Sequence, residues 1–318
     1  MFLNRFLALF DGKSNIDRYP EEMLRQAIER AVDATNPWLR GVSGYHKRLR
    51  PAIRKAVDHS SALASQLNGP IHASLDSYDS DPRLRAFFIS AVQMQQIFAQ
   101  DQTLKEYRAT ASEGHKSGCA LLLMEMEEKK KLGVAQVGGM MLHETPQVTV
   151  SFSEHRFFDV TPTEEETRNL LKRRAFDHLV SLALTHITLA NTERKDLLRQ
   201  NTLLQAKLNT FQRGGFWHSA LDRNNTLNLT ELQEQKKQIE ARLQLLGDSN
   251  DSLNLELDLL IDVLENPDQH LWATRSPLIL DRMGIKRAHA TTETPPIELE
   301  ALHNTRGRNV VVALVAFE

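Results

Sequence analysis

Few segments of this chain combine the residue types and the spacing that chemistry needs. Asp11-Gly12-Lys13-Ser14 carries the Gly-Lys-Ser end of a phosphate-binding loop. Such a loop also needs a glycine five residues before the Gly-Lys pair and a buried strand leading into it. Leu7 stands at the glycine position, so the segment reads as an ordinary turn. His115 and Lys116 precede Cys119 and would lower its thiol pKa if the three converged. A cysteine opening the run Cys119-Ala120-Leu121-Leu122-Leu123 is more simply a small core residue. The 12 histidines include no His-Glu-x-x-His pair and no cysteine–histidine spacing of a zinc site. His178 and His186 fall on roughly one side of a helix, and His143-Glu144 reads as part of a turn. Gly41-Val42-Ser43-Gly44 lacks the glycine two residues after the serine that a nucleophile elbow requires. The spacing therefore assigns no catalytic residue, no cofactor and no metal.

Two basic stretches and one aromatic cluster remain. His46-Lys47-Arg48-Leu49-Arg50, with Arg54 and Lys55, is the densest basic patch, and Lys172-Arg173-Arg174 is the second. No stacking aromatics interleave with these charges, so solvated faces with nearby counter-charges explain them best. The cluster Phe211-Gln212-Arg213-Gly214-Gly215-Phe216-Trp217-His218 sits between two long heptad runs. Aromatics beside glycines and an arginine, at the end of a projecting element, form a partner-binding knob or fold back to cap that element. Phe211, Arg213, Phe216, Trp217 and His218 are the candidate partner-binding residues.

The elements that position these residues follow from hydrophobic period. Residues 17–131 read as consecutive short helices: Pro20 before Glu21 and Glu22, Asn36 before Pro37, and Asp81 before Pro82 are start signals. Leu84, Phe87, Phe88, Ala91, Met94, Ile97 and Phe98 recur at helical spacing, and Asn68-Gly69-Pro70 is a break. The period then changes. Val134 to Leu142 and Gln147 to Phe152 flank His143-Glu144-Thr145-Pro146, which reads as a hairpin turn. Phe157, Phe158 and Val160 suggest a third strand. Near the C-terminus Ile297, Leu299 and Ala301 alternate with Glu298 and Glu300, ahead of the apolar run Val310–Phe317.

Between these strand regions lie two seams of eleven positions whose steps alternate four and three; nine of each eleven are apolar, the exceptions being Arg194 and Asn201 in the first and Lys236 and Asn250 in the second. One runs from Phe176 through Ile187, Leu197 and Leu204 to Phe211; the other runs from Leu229 through Ile239 and Leu246 to Leu264. Each covers 36 residues, so each helix would be about 54 Å long. Thr163 with Glu166 is a capping box for the first. Equal runs on either side of Gly214-Gly215 and Asn224-Asn225 imply one chain folding back as an antiparallel coiled coil. That fold-back sets Arg194 at the level of Leu246–Asp248, where Asp248 would take its charge. Gly247-Asp248-Ser249-Asn250-Asp251 reads as a turn inside the second arm, so a kink, or two shorter helices packed on the lobe, is the competing form.

The expected fold is α+β and predominantly α. A helical lobe covers 1–132, and a small, mostly antiparallel sheet domain covers 133–162 plus 266–318, with strands from 134–160 and 278–317. A long antiparallel coiled-coil helical hairpin, 163–265, is inserted between the two parts of that domain. Composition agrees with a soluble chain of about two domains: 318 residues, 41% hydrophobic and 25% charged. Its 39 basic and 41 acidic residues leave a net charge of −2, against a general nucleic-acid binder. A single cysteine excludes an internal disulfide and makes the cytoplasm the default compartment. Phe2, Leu3, Phe6, Leu7 and Phe10 share one face of a short helix, for docking on the core, a partner or a membrane surface.

These features together suggest a cytosolic, non-enzymatic interaction or scaffold protein. It would bind a protein partner, or a second copy of itself, through the coiled-coil hairpin and its aromatic tip, with no sequence-specific nucleic acid. One alternative is an enzyme whose site gathers His143, Glu144, His155 and Arg156 between lobe and sheet. A second is peripheral attachment to a membrane through Phe2, Phe6 and Phe10.

Overall fold

The structure is a computed structural model describing residues 19–110, 117–137, 140–213, 225–246, 251–292, 294–305, 307 and 309–318. Within these, the description includes no side chains for 134–137, 140–143, 211–213 and 225–229. Phe2, Phe6, Phe10, His115 and Lys116 lie outside the described residues.

The fold is α+β, predominantly α. Helix α1 (Glu21–Thr35) leads through a 3-10 turn (Pro37–Gly41) to α2 (Tyr45–Gln66). After β1 (Ile71–His72) come α3 (Leu75–Ser80), α4 (Pro82–Phe87), α5 (Ala91–Gln100) and α6 (Gln102–Thr110). The start signals act as expected: the Asn36 carboxamide accepts from the Trp38 N–H at 3.0 Å and the Asp81 carboxylate from the Arg83 N–H at 2.8 Å. Then follow β2 (Gly118–Val137), β3 (Met140–Thr161), α7 (Glu164–Arg213), α8 (Asn225–Leu245), α9 (Ser252–Glu265) and α10 (Pro267–His270). The chain ends in β4 (Leu271–Ile279), β5 (Pro296–Asn304) and β6 (Asn309–Phe317).

The described residues divide into two compact units: Val57–Phe176 and Pro267–Glu318 form one, and Pro20–Ala56 with Asp177–Asn266 the other. The first unit is built on the sheet, with strand order β3-β2-β6-β5-β4. Its pairings are antiparallel except for β1, which runs parallel to β6. The helices from α7 to α9 therefore lie in sequence between β3 and β4, the two ends of that order.

Three elements differ from the sequence expectation. The run Cys119–Met126, placed in the helical lobe, is strand. Ala120, Leu122 and Met124 join the core cluster that includes Phe87, Phe88, Phe98 and Leu104, while Cys119 and Leu121 join a second cluster with Ala64, Leu67 and Leu171. A central strand buried on both faces loses its period-2 signature and reads as a continuous apolar run. The hairpin turn is also displaced. His143–Pro146 is not a turn but part of β3, with Thr145 opposite Gly133 and Pro146 opposite Leu132; the chain instead reverses between Val137 and Met140, which pair. The sheet further gains β4, whose Pro277 fits only an edge position.

Strand β3 follows β2 past three register shifts, at Cys119/Leu121, Leu123/Glu125 and Gly133/Ala135. On β3 each falls beside an acidic residue at positive φ: Asp159 at 54°, Glu154 at 53° and Glu144 at 60°. These are bulges, each with one residue in the left-handed conformation that twists the ribbon further. Beyond Met124, β2 has lost β6 and pairs with β3 alone.

In the second unit the core includes Leu24, Ile28, Leu39, Leu49, Ile53, Leu257 and Leu260. Arg30 holds Asp177 in a two-pronged ion pair at 2.7 and 2.6 Å. Glu256 is buried and accepts from the carboxamides of Asn36 at 2.6 Å and Asn191 at 2.8 Å, tying α9 to α7 and to the 3-10 turn.

Candidate functional site

The long helix α7 starts as the capping box implies: Thr163 Oγ1 accepts from the Glu166 N–H at 3.3 Å. From 195 to 210 only Leu197, Asn201, Leu204 and Leu208 are sheltered from solvent. From 230 to 246 on α8 and just past it, only Leu232, Lys236, Ile239, Leu243 and Leu246 are sheltered. These are the seam positions read from the sequence, in steps of three and four. On α8 every one is only half-buried, as expected where one helix covers one side of another. Asn201 presents a buried carbonyl oxygen with no hydrogen-bond partner among the described residues.

Register comes from polar contacts. Arg242 donates to Glu193 at 2.8 Å; the equal-arm fold-back sets residue 198 opposite 242, so on α7 the contact lies about five residues nearer the base. Between Arg242 and Glu256, fourteen residues of chain move the contact only two residues along α7, from Glu193 to Asn191. Helix α8 ends at Leu245 and α9 starts at Ser252; residues 247–250 lie outside the described residues. The second heptad run is thus two helices rather than one. Asp248, expected to take the charge of Arg194, lies outside the described residues.

A groove of about 460 Å³ runs along this arm, lined by Leu197, Gln200, Leu203, Leu204 and Lys207 of α7 and by Gln235, Gln238, Ile239 and Arg242 of α8. Large apolar side chains stand out from the arm: Leu203 is 55% exposed and Leu245 73%. Of the tip residues, the Phe211 and Arg213 backbones end α7; Phe216, Trp217 and His218 lie outside the described residues.

The other candidates are not brought together. His155 Nε2–H donates to the Phe87 carbonyl oxygen at 2.8 Å, and the ring stacks on Phe88. Burial holds its pKa below the ordinary value. Glu144 is exposed, and Arg156 pairs with Glu154; the His143 side chain is outside the description. Burial raises the Cys119 thiol pKa, which favours the protonated, unreactive form. Among the described residues no three His, Cys, Asp or Glu side chains form a group able to hold a metal. A cleft of about 400 Å³ in the first unit is lined by Tyr78, Arg85, Ile89, Asp281 and Arg282. Two of its polar groups already serve the fold: the Tyr78 hydroxyl donates to the Phe88 carbonyl, and Asp281 accepts from the Met283 and Ile285 N–H groups and from Arg287.

The basic patches have counter-charges. His46 meets Glu29, Arg48 meets Asn254 and Asp258, and Arg50 meets Glu21. Arg40 and Tyr45 also donate to Glu29, which outweighs its burial and lowers its pKa. In the second patch Lys172 donates to Asn169, and Arg174 pairs with the β3 bulge residue Asp159 while lying over Phe158.

Three functional or structural side chains escaped the sequence reading. Arg168 donates to the carbonyls of Ala64, Leu67 and Asn68, capping the end of α2, and pairs with Glu164. Glu300, expected on an outward face of β5, is buried instead; it accepts from the Asn68 N–H at 2.9 and 3.0 Å and pairs with Arg275. Burial raises its pKa despite those donors. Glu256 is the third; it stands among Leu253, Leu255, Leu257, Leu259 and Leu260, but so does Asp258, and residue type alone does not tell the buried acid from the exposed one.

No family model, curated protein or solved structure matches the chain. Among the described residues no helix is long and apolar enough to cross a membrane.

Proposed function

We propose that this chain is a non-enzymatic interaction protein that holds a protein partner with its helical arm. In this reading α7 and α8 form an antiparallel coiled coil, and Phe211, Arg213, Phe216, Trp217 and His218 at its tip anchor the partner. The observation that carries it is the burial pattern of the arm. Over 195–210 and 230–246 shelter is confined to the seam, and the exposed surface there includes Leu203 and Leu245. Exposed apolar side chains beside a groove are a common mark of an interaction surface. The cytoplasm is the compartment that the single, buried Cys119 fits best.

The test replaces residues 212–228 with a short glycine–serine link and compares the proteins co-purified from native lysate with those of the full chain. Loss of specific partners, reproduced by Trp217→Ala alone, supports the reading. An unchanged partner set overturns it.

A further inference from the structure

The groove along the arm has a symmetry of its own. Glu193, Gln200 and Lys207 are seven residues apart and so form one stripe along α7. Gln200 and Lys207 line the groove, as does Arg242, which Glu193 holds at 2.8 Å. Read outward from Gln200, the stripe is acidic seven residues toward one end and basic seven residues toward the other. Leu197 and Leu203, both lining the groove, lie three residues to either side of the same point. Gln235 is seven residues before Arg242, just as Gln200 is seven after Glu193. The ion pair therefore sets the two glutamines level across the groove.

A stripe of this kind is complementary to itself when reversed. A two-fold axis through the Gln200 level brings Lys207 of a second copy to Glu193, which then lies between that lysine and its own Arg242, and sets the amides of Gln200 and Gln235 against their counterparts. Carboxamides donate and accept at once, so four of them at a symmetry axis can satisfy one another. Two-fold contacts of this self-complementary type are the commonest way soluble chains associate.

We propose that the groove face of the arm is a self-association surface, on which a second copy of this chain docks antiparallel about Gln200. The proposal deepens the reading of the arm as a contact surface and names the occupant of its groove. About 20 residues of α7 with the facing part of α8 present a face of roughly 30 by 20 Å. That is about 600 Å² per copy, below the ~800 Å² per partner of an ordinary stable interface. The association is accordingly reversible, and it needs concentration to fill.

The test uses the full chain at up to about 0.2 mM in sedimentation equilibrium. A monomer–dimer equilibrium is expected, and Lys207→Glu, which sets Glu against Glu193 twice per dimer, weakens it about tenfold. A short bismaleimide joins two copies of Gln200→Cys much faster than two copies of Thr202→Cys, whose side chain points away from the groove. Cys119 is buried and does not compete. A monomer at the highest concentration, a dimer indifferent to Lys207→Glu, or equal coupling at 200 and 202 overturns the proposal. A strictly monomeric chain that still loses partners on removal of the tip overturns self-association alone. A dimer whose partner set ignores the tip overturns the tip reading alone.

Discussion

Leu203 and Leu204 are neighbours on α7 with opposite fates, and truncating each to alanine tests the register of the arm. Leu204 is 9% exposed and faces α8, whereas Leu203 is 55% exposed beside the groove. Burying a leucine side chain fully stabilises by about 1.5–3 kcal/mol, and a rigid cavity adds to the cost of removing it. In a two-helix seam the second helix can settle inward, so Leu204→Ala keeps mainly the transfer term, about 2 kcal/mol. Leu203→Ala removes a side chain less than half buried, at about 0.5 kcal/mol. The difference of about 1.5 kcal/mol is slightly more than tenfold in an opening constant. A chain of two compact units need not unfold in one step. Native-state hydrogen exchange in α7 and α8 is therefore the right assay. Protection factors of the arm should fall more than tenfold for Leu204→Ala and about twofold for Leu203→Ala. Equal losses at the two positions, or a larger one at Leu203, would refute the seam.

Further outcomes follow from single contacts. Arg168→Met leaves three carbonyls at the end of α2 without their cation and should cost about 2–3 kcal/mol in urea unfolding of the first unit, with Arg168→Lys intermediate. Asn201→Leu removes a buried carbonyl that has no partner among the described residues and should stabilise the arm by about 1 kcal/mol in the same hydrogen-exchange measurement. His155 has a lowered pKa in the native state, so the unfolded chain takes its proton first. Its contribution is full above about pH 6.5 and is lost as pH falls below it, by at most about 1.4 kcal/mol per pH unit. Asp159 and Glu300, raised by burial, contribute with the opposite sign, so the readout is wild type minus His155→Phe between pH 7 and pH 5.5.

Legibility in the sequence tracked how one-sided each environment is. The seams were legible because Leu197, Leu204, Ile239 and Leu243 are sheltered while the positions around them stay exposed, which preserves the 3-4 period. The same one-sidedness made Val148, Val150 and Phe152 readable as strand. Cys119–Met124 was not readable as strand because β3 and β6 flank it and core covers both faces. The register of the arm depends on where the chain leaves the helix between Leu245 and Ser252, and local residue types do not fix that distance. At the candidate site, the groove's composition was visible in the seam flanks, but its self-complementary order appears only once Glu193 is seen to hold Arg242. Glu300 and Arg168 were invisible for a different reason. Their partners are backbone groups at Ala64, Leu67 and Asn68, some 100 residues or more away along the chain.

The central claim is that the arm, rather than another surface, makes the contact. It is tested most directly by placing a photo-crosslinking amino acid at Leu203 in the groove, and separately at Met283, an 81% exposed position in the first unit. Irradiation in cells should convert the Leu203 variant into discrete higher-mass adducts, one of them at twice the mass of the chain, and leave the Met283 variant unchanged. Discrete adducts at Met283 with none at Leu203 would contradict the account.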